Sequence, residues 1–365
     1  MAARNGVGGE QEFPRESASS LAILVAAVTH LTLPKVELHL HLDCSLSYEG
    51  VRRLQPSTTV EEFRRHFMAP ARCINLAEFL SRVPRVLRLL QSEEALGVLV
   101  EDVFEQLERD RVIYAELRFA PMLHTAGGLS TERVVDIIDR AVDVMVRRTA
   151  IEARLILCAL RHFNERDSLA TAALVHEFRD RRVVALDLAG DEAGYSLQPH
   201  VAAYRYAHEH GLNTTAHAGE ACGPASVWAS LRELQPARIG HGIRSIEDPL
   251  LVEHLRHTGI HLEVCPSSNV QMVECIDGWH DHPVERLRRA GVSLSISTDV
   301  RMFTSTTLER EYALLREHFG WTRETFRAAN EVALRHAFAD ETTKAGLFSQ
   351  LRQAWRAEAL PEDVT

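Results

Sequence analysis

The hydrophobic and polar positions of the chain fall into short β-like runs separated by longer helical ones. Lys35-Val36-Glu37-Leu38-His39-Leu40-His41-Leu42-Asp43 alternates apolar and polar residues, the period of a half-buried strand. Three amphipathic stretches follow: Leu46 to Phe67, Asn75 to Leu90, and Glu93 to Arg109. In the second, Leu76, Phe79, Leu80, Val83, Val86 and Leu87 form one stripe. It reads first as a packing surface, and its position just after a strand also lets part of it roof a pocket. The chain then alternates between strand and helix. Strands are predicted over 112–119, 153–160, 183–188, 212–215, 238–240, 260–264 and 292–297. Helices are predicted over 131–148, 168–179, 199–210, 225–234, 249–257 and 283–290, and from about Thr306 to the end.

Strands that alternate with helices imply βαβ units and a parallel sheet. Eight such units make a TIM (β/α)8 barrel, here with additional helices at the N-terminus, after strand 1 and at the C-terminus. An open doubly wound sheet is the alternative, but it explains less well why polar residues close nearly every strand. No Pro/Gly-rich linker or composition shift divides the chain. Residues 19–365 therefore read as one barrel domain, preceded by a polar, disordered tail over 1–18.

Composition narrows the partners. A net charge of −10 argues against a nucleic-acid backbone or an anionic membrane. Leu21 to Leu33 is apolar but too short to span a bilayer. Glu10 and Glu12 precede it and Pro34-Lys35 follows, unlike a secretory signal, so it reads as a short helix under the first strand. The six cysteines form no Cys-x-x-Cys pair. Scattered thiols of this kind fit a reduced, cytoplasmic protein.

Chemistry gathers at the predicted strand ends. Strand one offers His39, His41 and Asp43. Strand four offers Gly190, Asp191 and Glu192, strand five His217 and Glu220, strand six His241, and strand eight Asp299. Singly, each could be a satisfied buried polar group. A barrel brings all of them to one mouth, and packing alone does not explain that coincidence. Residues two apart on a strand share a face, so His39 and His41 can grip one divalent ion. With His217 and Asp299 they make an N3O set suited to zinc, which lowers the pKa of a bound water. His241 is then placed to orient or deprotonate that water, and Glu220 to protonate the substrate atom beside the attacked carbon.

With these residues in view, the chain resembles the adenosine deaminase family of the amidohydrolase superfamily. The matching segments are Glu37-Leu-His39-Leu-His41-Leu-Asp43, Asp187-Leu-Ala-Gly190-Asp191-Glu192, Thr215-Ala-His217-Ala-Gly-Glu220, Arg238-Ile-Gly-His241-Gly242, Cys265-Pro-Ser-Ser-Asn269 and Ser297-Thr-Asp299. The resemblance implies one zinc per chain and hydrolytic deamination of adenosine or 2′-deoxyadenosine at purine C6. It implies that the Glu220 carboxyl donates to N1, that the Gly190 N–H faces N3 and that Asp43 faces the ribose 5′-hydroxyl. Two departures stand out. Cys44-Ser45 follows Asp43 where the family usually has glycine. Val300 follows Asp299 where a second aspartate would hydrogen-bond N7. The valine keeps adenine, a modified aminopurine nucleoside or another aminated heterocycle open as the substrate. A two-metal site bridged by a carboxylated lysine is unavailable, because the only lysines are Lys35 and Lys344. A non-enzymatic nucleoside-binding relative would be expected to lack a ligand or the proton donor, and none is missing.

Overall fold

In a computed structural model of the chain, residues 33–357 are described. The expected tail over 1–18 and the expected short helix from Leu21 lie outside that range, apart from Leu33. The eight strands are β1 Lys35–His41, β2 Val112–Phe119, β3 Glu152–Leu160, β4 Val183–Ala189, β5 Asn213–Ala218, β6 Arg238–His241, β7 His261–Val264 and β8 Leu294–Ile296. They lie in the order β1 to β8, each parallel to the next. The ring is joined just beyond β8. The Asp299 N–H donates to the His39 carbonyl at 2.9 Å, and the His41 N–H donates to the Asp299 carbonyl at 2.8 Å. This is a (β/α)8 barrel, with extra helices after β1 and at the C-terminus.

β2 is buried at all eight positions, so its apolar and polar alternation does not separate core from solvent. Leu117 and Phe119 alternate with Glu116 and Arg118, and the charged pair meets acids and bases of other strands: Arg118 bonds Asp187 and Glu263, and Glu116 bonds Arg238. β1 likewise has both faces covered, which corrects the half-buried reading of its alternation. The pattern marks a barrel whose inside carries ion pairs as well as aliphatic packing.

The helical stretches after β1 are broken where the sequence supplies a stop. Leu46 to Phe67 is two helices, Tyr48–Leu54 and Val60–His66. Pro56 lies between them, and a Thr59/Glu62 capping box starts the second. The Leu76 to Leu90 stripe is also two helices, Leu76–Leu80 and Val83–Leu89, with Pro84 in the first turn of the second. The C-terminal region is three helices, Leu308–Phe319, Arg323–His336 and Glu341–Ala357. None of the described helices is long and apolar enough to cross a membrane. The six cysteines are all free.

Candidate active site

β1 carries two of the site histidines, and a local irregularity aims them. Its pairing with β2 shifts register between Glu37 and Leu40. A bulge of this kind re-aims side chains beside a site. Glu37 binds Thr298 and Arg301, while His39 and His41 meet His217 of β5 and Asp299 beyond β8. His41 Nε2 is 3.1 Å from His217 Nε2. Asp299 Oδ1 is 3.5 Å from His39 Nε2 and 3.4 Å from His41 Nε2. His39, His217, His241 and Asp299 each place a ligand atom within 4.8 Å of the others. The four predicted ligands therefore converge, and His241 joins them.

Distance does not rank His41 against His241; their partners do. His39 Nδ1 lies 2.8 Å from Glu263 and His217 Nδ1 3.2 Å from Asp187. A carboxylate at Nδ1 takes the N–H and leaves Nε2 as a lone pair. His39 Nε2 is buried without a hydrogen-bond partner. Burial, with help from Arg118, lowers His39 to about 4, and burial lowers His41 to about 3. Both rings are neutral at pH 7, as metal ligands must be. Burial opposes the charge on Asp299, but the neighbouring His39, His241 and His41 rings outweigh it and hold the carboxyl well below its usual range. An orphaned lone pair, imidazoles fixed from behind and an ionised carboxylate fit a divalent metal ion.

His241 is held differently. Its Nδ1 is 3.0 Å from Glu220 Oε1. The Asn269 amide nitrogen lies 3.1 Å from the same Nδ1 and 3.2 Å from the same Oε1. Burial disfavours the imidazolium, yet the Glu220 carboxylate overrides it and raises His241 to about 9. His241 and Glu220 thus form a proton-sharing pair at the edge of the cluster. Glu192, in the loop after β4, accepts the backbone N–H groups of Gly219 (2.7 Å), Glu220 (3.0 Å) and Cys222 (2.9 Å), and so fixes the loop that carries Glu220.

The backbone is strained at two of these positions. His241 (φ 60°) and Asp299 (φ 64°) are left-handed, a conformation that costs a non-glycine residue about 1–3 kcal/mol. Gly190, at φ +98°, has the freedom its position requires. At Gly240 a Cβ would sit 3.0 Å from His39 Cε1, so a side chain there would press on the ring.

All of this opens on a cavity of about 340 Å³. One wall is polar, with His41, Asp43, His217, Glu220, His241 and Asp299. Leu76, Phe79, Leu80, Val83, Pro84 and Leu87 also line it, so part of the apolar stripe reaches the pocket. Gly190, Val300 and Phe303 also reach it. Asp43 accepts the Ala120 N–H at 3.2 Å and lies 3.6 Å from His124 Nε2. Val300 is buried on the wall, and its side chain has only apolar atoms to offer.

Sequence reasoning gave no role to Asp187, Glu263, Arg118 or Asn269. Asp187 and Asn269 stood inside the matched segments. Glu263 was visible only as an acid in a short apolar strand, and Arg118 as a base in another.

A (β/α)8 barrel that collects imidazoles and a carboxylate at the carboxyl ends of its strands has the architecture of a metal-dependent amidohydrolase. Residues 34–354 match the adenosine deaminase family, and the chain belongs to that family, whose members are hydrolases acting on C–N bonds. An adenine deaminase of Rhizobium etli is 34% identical over 327 residues, covering 87% of this chain and 99% of its own. An adenosine deaminase of Gallus gallus is 31% identical over 345 residues, covering 88% and 95%. The structure of Arabidopsis ADAL complexed with IMP superposes with a TM-score of 0.79 at 25% identity, covering 89% of this chain and 98% of that one. These relatives are similar to the chain; their substrates differ among themselves.

Proposed function

We propose that the protein is a zinc-dependent aminopurine deaminase that converts adenosine or 2′-deoxyadenosine, with water, to inosine or 2′-deoxyinosine and ammonia. The observation that carries the reading is the junction of two sets in one cavity: the His39, His41, His217 and Asp299 ligands, and the Glu220–His241 pair at their edge. Three imidazole nitrogens and a carboxylate oxygen suit zinc. These four residues would hold a divalent ion, which when bound would make a water acidic enough to react at neutral pH. With the shared proton passed across the 3.0 Å contact to Glu220, the neutral His241 would orient that water and take up its proton. Glu220 delivers a proton to ring nitrogen N1, which makes C6 electrophilic. The Gly190 N–H faces N3, and Asp43 accepts the 5′-hydroxyl. The apolar side chains between Leu76 and Leu87 that line the cavity exclude bulk water from the ring.

A second reading keeps the chemistry and moves the substrate to adenine or another aminated heterocycle. Two observations favour it: the adenine deaminase relative matches at 34%, and Val300 offers no hydrogen bond on the wall where the family's second aspartate would read N7. The test is ammonia release from adenosine, 2′-deoxyadenosine and adenine, side by side, with metal content measured on the same sample and a chelator-treated control. Chelator-sensitive release from a nucleoside at about one zinc per chain supports the first reading. Release from adenine alone supports the second.

A further inference from the structure

We propose that Arg118 is a positioning residue for the metal ligands, a single guanidinium that clamps the two carboxylates holding His39 and His217. The inference rests on the metal-site reading above and adds a group that contacts neither metal nor substrate. Arg118 lies on β2 and is fully buried. One terminal nitrogen is 2.9 Å from Asp187 Oδ2, and the other is 2.6 Å from Glu263 Oε2. The second nitrogen also donates to the Leu38 carbonyl at 2.9 Å, next to His39 on β1. The remaining oxygen of Asp187, Oδ1, is the one that meets His217 Nδ1. Glu263 Oε2 serves Arg118 and His39 Nδ1 together. One side chain therefore ties β2 to β4, β7 and β1 behind two imidazoles.

The two carboxylates are not equally dependent on it. Glu263 has a second cation, Arg238 Nε at 2.7 Å from Oε1, and a bond from Thr215 Oγ1 at 3.2 Å. Among the described residues, Arg118 is the only arginine paired with Asp187. The His217 side of the cage should feel its loss first. Lysine would keep the charge but offers a point donor, which cannot span two carboxylates as the planar fork does.

The test uses the full chain with Arg118→Lys, Arg118→Gln, Asp187→Asn and the Arg118→Lys/Asp187→Asn double variant. Zinc affinity is measured by chelator competition, and ligand geometry by the visible spectrum of the cobalt-loaded protein. The thermal midpoint of each metal-free protein is measured beside them. Arg118→Lys and Asp187→Asn should each weaken zinc about 10–100-fold, and each should shift the cobalt spectrum. The double variant should be little worse than the weaker single one, because the two changes break one linkage. If Arg118→Gln does not fold, the lysine and asparagine variants still decide. A lower metal-free midpoint with unchanged zinc affinity and cobalt spectrum would make Arg118 a purely structural ion-pair partner and overturn the proposal. A wild-type chain that binds no divalent ion would instead remove the metal-site reading, and this inference with it.

Discussion

At the scale of single residues, Glu220 and Val300 carry the two questions that matter, how the proton moves and which ring is read. Glu220 has His241 and Asn269 on one oxygen, and its loop is pinned by Glu192. Glu220→Gln keeps shape and hydrogen bonding but cannot deliver a proton. Turnover should fall about 10²–10⁴-fold, while zinc per chain, measured by elemental analysis, stays at the wild-type level. Loss of zinc along with activity would place Glu220 among the ligands instead. Val300 is a buried apolar wall of the cavity. If the ring sits as the family resemblance implies, Val300→Asp should raise the preference for adenosine over 7-deazaadenosine about tenfold, the scale of one recovered buried hydrogen bond. An unchanged ratio of kcat/KM values would show that another group already serves N7.

At the scale of elements, short helices bring second partners to the site. The helix Pro266–Met272 carries Ser268, which bonds Asp299 at 2.5 Å, and Asn269. Its first turn is tied to the helix Leu308–Phe319 by Glu311, which accepts the Ser267 N–H at 3.1 Å and the Thr306 hydroxyl at 2.7 Å. Burial raises Glu311 from 4.5 to about 7, despite the hydrogen bonds from Ser267 and Thr306. An acid raised in this way is protonated in the folded chain over a range where the unfolded chain has released the proton. Its stabilising contribution is complete below 4.5 and is lost as pH rises through 7. Glu311→Gln should remove that loss. The unfolding free energy of the variant relative to wild type should grow by on the order of 2 kcal/mol between pH 5 and pH 8 in denaturant titrations. A difference independent of pH would mean that Glu311 is charged in the native protein.

These elements also mark what the sequence makes legible. The helices Glu93–Arg109 and Thr131–Arg148 and the strand Val112–Phe119 were readable to the residue, because their periodicity is long and uninterrupted. The helix Pro266–Met272 leaves no such signal, since its seven residues, with Ser267, Ser268 and Asn269, lack an apolar stripe. Pro56 marks the break between Tyr48–Leu54 and Val60–His66, which the amphipathic period running across it hides. The metal-ligand candidates were legible because they end strands. Their supports were not. Arg118 and Glu263 sit on strands among apolar neighbours, and only the closed ring brings them together. The left-handed backbone at His241 and Asp299 leaves no composition signal, since neither is a glycine.

At the scale of the whole molecule, the candidate ligands come from β1, β5 and the turn after β8, so an ion that binds them stabilises the assembled barrel over the unfolded chain. Free zinc at a hundredfold excess over its Kd should add about 2.7 kcal/mol to the unfolding free energy. Chelation should lower Tm and restored zinc should return it, both read by calorimetry. A Tm indifferent to zinc would count against the cage.

The bonds between His39, His41 and Asp299 that join the ring also set an order in time. A chain still emerging from the ribosome displays His39 and His41 early, then His217, but lacks the carboxylate and the backbone that clasp the first strand. Such a long-range closure comes late, after nearly every other strand has a neighbour. If the candidate ligands hold an ion, its capture waits until Asp299 has been made, and a fragment cut short before Asp299 would carry the three candidate histidines and none of the closing bonds.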